Sequence, residues 1–351
     1  MAFHTYLSAK VETAVIECGI GGEHDSTNVV VKPAVTAVTS LGIDHTAMLG
    51  STIEEIAWHK SGIFKPGVKA FTVRQPWPAA EVLASRAIER GVTLEVVDIH
   101  PDLENITLGL AADFQKINAS LAIAVAAAYL RSHGYDDIPL NISTSSAPLP
   151  TRFRQGLEQV KWPGRCEIRH DPRCRGLRWC IDSGHTLESI EMAATWFASQ
   201  IISSEPSASK SLKEQKRILI FNQQTRDANA LAKALYKTLT QTIGGGQPFT
   251  HVIFCTNVTF AKGGYKPDLV SVNTNDQEID ELVVQNALAE TWRAIEATTV
   301  GQTTDIAVLK TIEEAVEQVR TITSEASGEV TVLVTGSVHL VGGVLDVLET
   351  N

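Results

Sequence analysis

The sequence has few cysteines and no long hydrophobic run, and these absences exclude several classes of protein. Its five cysteines among 351 residues form no CxxC pair and are odd in number. They therefore fit neither a disulfide framework nor a zinc site, and a reducing compartment is the simplest interpretation. The longest apolar run, from Ala119 to Leu130, is too short to cross a bilayer. We expect a buried helix there, and no membrane insertion.

Positive charge is also scarce, with 30 Lys and Arg against 40 Asp and Glu and a formal net charge of -10 at pH 7. No global basic field is available to hold a phosphate backbone, so nucleic acid is not an expected partner. The hydrophobic fraction of 44% and the charged fraction of 20% are typical of a soluble globular protein. The length predicts about two domains. The opening residues MAFHTYLSAK lack the features of a secretory signal and resemble the middle of a helix, so we expect the chain to begin inside a domain.

Two phosphate-binding motifs are missing as well. No segment reads GxxxxGK[ST], the pattern of a P-loop. Gly19 and Gly21 complete only the first half of GxGxxG, because His24 stands at its third glycine. An NAD-dependent oxidoreductase is therefore a poor interpretation.

Strand-like apolar runs alternate with helical stretches, which indicates an α/β protein with mainly parallel sheets. The expected strands are Thr13 to Glu17, Ala34 to Ser40, Ala70 to Val73, Arg178 to Ile181, Arg217 to Phe221, His251 to Cys255 and Val330 to Val334. The expected helices are Thr52 to His59, Ala79 to Arg90, Ala112 to His133, Ser189 to Ile202, Ala228 to Leu239 and Ile312 to Ile322. Residues 139–163 are rich in Ser and Pro and predict a connection. We expect two domains, 1–163 and 164–351, and an exposed loop over 203–216.

Polar residues stand where the expected strands of the first domain end, and ligands bind at the carboxyl ends of strands in open α/β sheets. Glu17 precedes a glycine-rich turn and suits a hard cation such as Mg²⁺, although a solvated or paired carboxylate is the commoner outcome. His45 follows the second strand and is either a metal ligand or, more often, a hydrogen-bonded structural group. On charge grounds alone, Lys60 is a surface lysine.

The second domain repeats this arrangement. Asp182 and His185 lie on one short turn after a strand, where such a pair can bind an adenosine-phosphate moiety or do acid–base work. The simpler alternative is a helix N-cap by Asp182. Asn222 and the segment Thr335 to His339 follow two other strands of the same series. Several polar strand ends on one sheet predict a ligand-facing rim.

Taken in order, these motifs resemble the folylpolyglutamate synthases of the Mur ligase superfamily. The matching segments are Glu17 to Gly22 with Asp25, Thr27 and Asn28, Leu41 to Thr46, Lys60 to Lys65, Gln115 with Asn118, Trp162 to Arg165, Asp182 to His185, Phe221-Asn222 with Arg226-Asp227, and Thr335 to Gly343. Each segment alone is weak, but the ordered set is specific and covers nearly the whole chain. The resemblance implies an α/β, Mur-ligase-like fold, with an incomplete central ATPase-type domain followed by a smaller Rossmann-like C-terminal domain.

The resemblance also implies an activity and roles for particular residues. The family adds L-glutamate to the γ-carboxyl of tetrahydrofolate or its polyglutamates through an acyl phosphate, with ATP and Mg²⁺ as cofactors and K⁺ as a further cation that it can use. By motif, Glu17 and His45 would ligate Mg²⁺, and a carbamylated Lys60 would position a second metal ion. His185 would lie near the reacting phosphate and the incoming glutamate. The residues placed at ATP are Asn118, Arg165 and Asp182. A monomer in the cytoplasm, or in mitochondria, is implied.

The sequence departs from the family pattern at three places. Asp182-Ser183-Gly184-His185 replaces Asp-Gly-Ala-His, and because both inner residues stay small we expect little effect. Phe114 stands where a histidine often precedes the glutamine, which excludes a ligand role there. Family members carry, ahead of the first helix, a strand and a P-loop that this sequence lacks. We therefore expect the first sheet to lack strands and its phosphate cradle.

Three alternatives to an active folylpolyglutamate synthase stay open: an inactive chain, a dihydrofolate synthase and a cell-wall Mur ligase. The chain is either an active ligase or an inactive fragment or pseudoenzyme, whose exposed sheet edge would recruit a partner or aggregate. Without the P-loop, we expect this polypeptide alone to be inactive. Within the ligases, dihydrofolate synthase or a bifunctional form is the nearest alternative, and a cell-wall Mur ligase is further away.

Overall fold

The computed structural model describes residues 1–139, 142, 148–203, 215–224, 226–261, 281–297 and 303–350. The chain divides into two compact units. The first consists of Met1–Thr107 with Phe114–Glu158, and the second of Leu108–Asp113 with Gln159–Asn351. Both contain parallel strands joined through helices, so the α/β prediction is confirmed. No helix in the described part of the chain is long and apolar enough to span a membrane.

The first unit is built on a three-stranded parallel sheet in the order β1-β2-β3. Its strands are β1 (Thr36–Val38), β2 (Ala70–Val73) and β3 (Leu94–Val97). The helices from the start of the chain to the end of this unit are α1 (Ala2–Ser8), α2 (Thr46–Leu49), α3 (Ile53–Lys60), α4 (Trp77–Glu89), α5 (Gln115–Ser132) and α6 (Thr151–Gln159). Alternate residues of a strand face opposite sides of its sheet. Ala70 accordingly packs against α3 and α4, while Phe71 packs against α5. The small sheet is therefore covered by helices on both faces.

The predicted strand from Thr13 to Glu17 is wrong. This segment has no regular structure, and Val15 is 94% exposed. Among the described residues, no strand pairs with it. A strand is stable only where a neighbour satisfies its backbone N–H and C=O groups and covers its apolar face, and apolar character alone supplies neither.

The predicted connection over residues 139–163 also needs correction, because it contains helix α6 (Thr151–Gln159). This helix has no fully buried residue, and its only apolar side chains are the half-buried Phe153 and Leu157, one turn apart, which is too short a pattern to predict a helix. An ion pair between Arg154 and Glu158, which are four residues apart on the same face and 2.9 Å from each other, stabilises the helix locally. The predicted loop over 203–216 lies mostly outside the described residues, which resume at position 215.

The second unit contains a six-stranded sheet in the order β4-β5-β9-β6-β7-β8, in which β4 alone is antiparallel to its neighbour. Its strands are β4 (Glu167–His170), β5 (Leu177–Ile181), β6 (Lys216–Phe221), β7 (His251–Cys255), β8 (Asp305–Leu309) and β9 (Val330–Thr335). The described helices that follow β5 are α7 (Leu187–Ser203), α8 (Ala228–Thr242), α9 (Val283–Ala297), α10 (Ile312–Ser324) and α11 (Val338–Thr350). The last strand, β9, inserts between β5 and β6. The strand order therefore reverses at β9. Open α/β sheets bind ligands outside the carboxyl ends of their strands at such a reversal, so the ends of these three strands are the place to look for a site.

One buried histidine makes the stability of the first unit depend on pH. His100 is 1% exposed, and its Nδ1 accepts the N–H of Asp102 at 3.1 Å, capping a short 3₁₀ helix. Desolvation lowers the pKa of His100 more than the nearby Asp102 carboxylate raises it. The unfolded chain therefore binds this proton more readily, so the contribution of neutral His100 is complete above pH about 6.5 and is lost as the pH falls through the lowered folded pKa.

We expect the substitution His100→Asn to flatten the fall in unfolding free energy between pH 6.5 and pH 5. Asparagine keeps a capping acceptor but does not titrate in this range. Urea denaturation at a series of pH values measures the slope, with His4→Asn, a change of an exposed histidine on α1, as the matched control. Equal slopes in all three proteins would contradict the assignment.

Candidate functional site

The glycine-rich turn after Glu17 packs against the C-terminal end of α3. The N–H of Glu23 donates to the carbonyl oxygen of His59 at 2.7 Å. A Cβ at Gly22 would lie 2.9 Å from the carbonyl oxygens of both His59 and Lys60, so the backbones meet without space for a side chain. The turn that follows Glu17 is therefore fixed directly beside the backbone of Lys60.

Asp25 holds this turn in shape through its carboxylate. One oxygen accepts the N–H groups of Gly19 at 2.9 Å and Ile20 at 3.0 Å, and the other accepts the N–H and hydroxyl of Thr27 at 2.9 and 2.6 Å. Desolvation raises the pKa of Asp25, but the hydrogen bonds from Thr27, Ile20 and Gly19 together outweigh it and lower the pKa. The carboxylate is thus committed to the turn, which makes Asp25 a structural residue.

Two arginines, Arg86 of α4 and Arg90 immediately after it, clamp the same turn through Glu23. Arg86 Nη2 lies 2.5 Å and Arg90 Nη2 lies 2.6 Å from Glu23 Oε2. Arg90 also donates to the carbonyl oxygens of Gly62 and Phe64 at 3.1 and 3.2 Å. The Arg86 guanidinium lies over the ring of Trp58, 4.7 Å from its centroid. We call Glu23, Arg86 and Arg90 the Glu23 clamp; sequence analysis missed it.

Gly62 shows how tightly the turn is packed. A Cβ at this position would lie 2.2 Å from Glu23 Cα and 2.4 Å from Glu23 N. Overpacking costs about 1–3 kcal/mol, and because both groups are backbone we expect Gly62→Ala to lower the unfolding free energy by about 3 kcal/mol. Gly156→Ala in α6, where a Cβ meets nothing within 4 Å, is the matched control and should be neutral or stabilising by up to about 1 kcal/mol. Urea denaturation measures both, and similar losses would contradict the packing argument.

The three predicted metal ligands differ in how they are held. Glu17 is exposed on an irregular segment, and Lys60 is the half-buried last residue of α3. His45 is exposed, adopts the left-handed conformation with φ 54°, and places Nε2 3.6 Å from Asp44 Oδ2. No three His, Cys, Asp or Glu side chains that could hold a metal ion come together in the described part of the chain. The predicted set contains only two such side chains, with Lys60 as the third member, so it stays a prediction.

The loop that carries His45 is anchored by Gln75, which sequence analysis missed. Gln75 Oε1 accepts the N–H of Leu41 at 2.9 Å, and its Nε2 donates to the Thr39 carbonyl oxygen at 2.8 Å and to Thr72 Oγ1 at 3.0 Å. Both ends of one side-chain amide are used to fix the chain as it leaves β1.

In the second unit, three strand ends form one polar rim, as the sequence predicted. The N–H of Gly336, after β9, donates to the carbonyl oxygen of Gly184, after β5, at 3.0 Å. Gln223 Nε2, after β6, donates to the carbonyl oxygen of Gly336 at 2.8 Å. Gly336 has φ 109°, and a Cβ there would lie 2.6 Å from the carbonyl oxygen of Asn222. Only glycine permits this close approach, and the three loops are joined through its backbone.

Asp182 lies at the centre of this rim and is 4% exposed. Its Oδ1 accepts the N–H of Gly184 at 2.9 Å, and its Oδ2 accepts the N–H of Cys166 at 2.9 Å. Desolvation raises the pKa of Asp182 above the ordinary value, although these hydrogen bonds and the charge of Arg165 lower it in part. The predicted alternative of a simple helix cap is therefore replaced by a buried carboxylate that binds two loops.

His185 is half-buried and orientated by its own turn. Its Nδ1 lies 2.9 Å from the carbonyl oxygen of Ser183, which can only accept, so Nδ1 carries a proton and Nε2 carries the lone pair of the neutral ring. The backbone N–H of His185 donates to Ser189 Oγ at 2.9 Å. The imidazole is thus held in one tautomer, whose Nε2 lone pair is suited to accepting a hydrogen bond or a proton.

The remaining predicted nucleotide contacts are both exposed. Asn118 belongs to the first unit, where its Nδ2 donates to Gln115 Oε1 at 2.9 Å near the start of α5. Arg165 belongs to the second unit and precedes Cys166 in the turn that bonds to Asp182. Its guanidinium is available to solvent and to an anionic ligand.

Comparison with curated proteins identifies fungal relatives. The chain is 41% identical over 352 residues to a folylpolyglutamate synthase of Neurospora crassa, matching 99% of the chain and 63% of that protein. It is 43% identical over 350 residues to a folylpolyglutamate synthase of Saccharomyces cerevisiae strain YJM789, matching 99% of the chain and 60% of that protein. The chain thus spans about three fifths of the length of these relatives. No family model matches it.

Solved structures share the fold. A folylpolyglutamate synthase of Mycobacterium tuberculosis, complexed with ADP and AMPPCP, aligns with a TM-score of 0.68 at 21% identity, covering 99% of this chain and 71% of that one. E. coli FolC, in complex with DHPP and ADP, aligns with a TM-score of 0.59 at 21% identity, covering 95% of this chain and 66% of that one. The predicted fold class is therefore confirmed.

Proposed function

We propose that the chain belongs to the folylpolyglutamate synthase family and serves ATP-dependent addition of L-glutamate to the γ-carboxyl of tetrahydrofolate and its polyglutamates. The observation that carries this proposal is the polar rim of the second unit, where Asp182 and His185 are fixed between loops in a fold shared with ADP-bound proteins of this kind. The similarity of 41% to 43% to fungal folylpolyglutamate synthases over 99% of the chain supports it.

The residues of this chain suit the charges of the reaction. Arg165 presents a guanidinium to phosphate oxygens, for which its planar fork is well shaped, and Asn118 offers a neutral amide. Asp182 accepts hydrogen bonds from hydroxyl or N–H groups of the nucleotide. His185 Nε2 accepts a hydrogen bond or a proton from the amine of the incoming glutamate and, once protonated, donates to the transferring phosphoryl group. Holding reactants in line and neutralising charge is most of what phosphoryl transfer requires of a protein.

The donor set proposed for Mg²⁺ is chemically suitable. Glu17 and His45 would hold one ion, and a carbamate on Lys60 would supply the oxygen ligands that Mg²⁺ prefers. Lys60 forms no ion pair with any described residue. Carbamylation of its amine would therefore break no contact with a carboxylate. When bound, Mg²⁺ neutralises charge that develops on the transferred phosphoryl group.

The free cysteines agree with a reducing location. All five are unpaired, as expected for proteins of the cytoplasm. We propose a cytoplasmic or mitochondrial site of action.

The direct test is incorporation of labelled glutamate into tetrahydrofolate by the purified 351-residue chain, with ATP and Mg²⁺. The full-length Saccharomyces cerevisiae relative is the positive control, and dihydropteroate replaces tetrahydrofolate in a parallel reaction. Glutamate addition to tetrahydrofolate supports the proposal. Addition to dihydropteroate alone would favour dihydrofolate synthase, and no addition while the control works would assign this chain to the inactive alternative.

A further inference from the structure

Cys166 occupies a strained and buried position next to the rim. It is 3% exposed and adopts φ 47°, in the left-handed region that is uncommon for residues other than glycine. It follows Arg165 and precedes the first residue of β4. Such a conformation persists only where surrounding interactions hold it.

The interactions that hold Cys166 converge on Asp182. The backbone N–H of Cys166 donates to Asp182 Oδ2 at 2.9 Å, and its Sγ lies 3.3 Å from the same oxygen. Burial, followed by the charge of Asp182, raises the pKa of the Cys166 thiol. The thiol is therefore kept protonated and acts as a hydrogen-bond donor, since a thiolate would be repelled by the carboxylate.

The carboxylate depends on these donors because it lies in no ion pair among the described residues. Burying a charge without pairing is costly unless hydrogen bonds replace water. Oδ2 takes two donors from one residue, whereas Oδ1 takes the N–H of Gly184 alone. Since a carboxylate oxygen can accept more than one hydrogen bond, Oδ1 is the oxygen with capacity for a donor from a ligand.

We propose that Cys166 is a positioning residue, whose thiol and N–H hold Asp182 Oδ2 so that Oδ1 is presented to a hydroxyl or N–H donor of the bound nucleotide. The nucleotide part of this inference rests on the proposed function. The hold on Asp182 is a property of the second unit and can be measured without nucleotide.

The test compares Cys166→Ala, which removes the thiol donor, with Cys166→Ser, which keeps a donor of similar size. Both replacements keep a Cβ and therefore the same backbone strain. Cys180→Ala is the matched control, because Cys180 is a buried thiol on β5 without a bond to Asp182. The first readout is the pKa of the Asp182 carboxyl. It is measured by NMR titration of ¹³C-labelled aspartate, and the Asp182 signal is assigned by its loss in Asp182→Asn. The second is the dissociation constant for ATP with Mg²⁺.

We expect Cys166→Ala to raise the Asp182 pKa and to weaken ATP binding about 3- to 10-fold, the effect of one hydrogen bond. Cys166→Ser should bind within about twofold of the parent protein, and Cys180→Ala should change neither readout. An unchanged Asp182 pKa in Cys166→Ala would overturn the inference whether or not ATP binds. A raised pKa with unaltered ATP affinity would overturn the role toward nucleotide. If the parent protein binds no ATP, the proposed function fails. A raised Asp182 pKa in Cys166→Ala would still show that the Cys166 thiol positions Asp182.

Discussion

In a chain that carries out the proposed ATP-dependent addition of glutamate, Lys60→Ala is expected to reduce that activity by more than about 100-fold while leaving the chain folded. Loss of residues that merely support a metal ligand costs about 10- to 100-fold, so loss of a proposed ligand should cost more. The fold should tolerate the change, because Lys60 is half-buried at the end of α3 and forms no ion pair in the described part of the chain. We expect the unfolding free energy to change by less than about 1 kcal/mol.

The carbamate makes a further, separate prediction. The neutral amine of Lys60 and carbon dioxide combine to a carbamate and release one proton. Activity of the parent protein should therefore fall when bicarbonate and carbon dioxide are removed, and return when they are restored. Lys69→Ala is the matched control, because Lys69 pairs with Glu95 at 2.7 Å on the sheet and should retain activity within about twofold. Retained activity in Lys60→Ala, or activity indifferent to bicarbonate, would refute the proposed role.

The sequence predicted the second unit better than the first, for a physical reason. Strands β6 and β9 are central, so nearly all their side chains are buried and each contains a mainly apolar run, ILIF in β6 and VTVLV in β9. The strands that sequence analysis missed, β3, β4 and β8, lie at sheet edges and mix polar with apolar residues. Thr13 to Glu17 gave the opposite error, since its composition is apolar but its side chains are exposed.

Some residues of the candidate site could likewise be predicted from the sequence, and others could not. Asp182, His185 and the residues after β9 could be predicted, because strand ends on one parallel sheet must meet at one edge. The residues that support the site could not. Glu23 contacts Arg86 and Arg90, in and just after α4, more than 60 positions away, and Gln75 reaches the Leu41 backbone across 34 positions. No local pattern marks such pairs, since they depend on how the helices pack.

The Glu23 clamp predicts a large loss of stability in the first unit when its carboxylate is removed. Glu23→Ala should lower the unfolding free energy by about 3 kcal/mol, because it leaves Arg86 only the exposed Glu89 as a partner and leaves Arg90 without a carboxylate among the described residues. The side chain of Arg86 is 7% exposed and that of Glu23 is 20% exposed, so water replaces the lost carboxylate poorly. Arg86 Nε, buried without a partner among the described residues, adds to this dependence.

The matched control is Glu89→Ala, because Glu89 pairs with the same arginine at 2.8 Å but is 62% exposed. We expect that change to cost less than about 1 kcal/mol, the usual range of a surface ion pair. Glu23→Gln keeps an acceptor oxygen without the charge and should fall between the two. Urea denaturation of the three variants measures the series. Equal losses from Glu23→Ala and Glu89→Ala would show that the clamp is an ordinary surface pair.

The Glu23 clamp should also affect the binding of Mg²⁺ by the proposed metal ligands. Glu23 donates its N–H to the carbonyl oxygen of His59, and Gly22 lies against the carbonyl oxygen of Lys60. A weakened clamp therefore frees the turn that follows Glu17 from the backbone of Lys60. We expect the activity of Glu23→Gln to need more Mg²⁺ for half-saturation than that of the parent protein, at a temperature where both are folded. An unchanged Mg²⁺ requirement would confine the clamp to stability, and would separate the glycine-rich turn from the metal ligands proposed on either side of it.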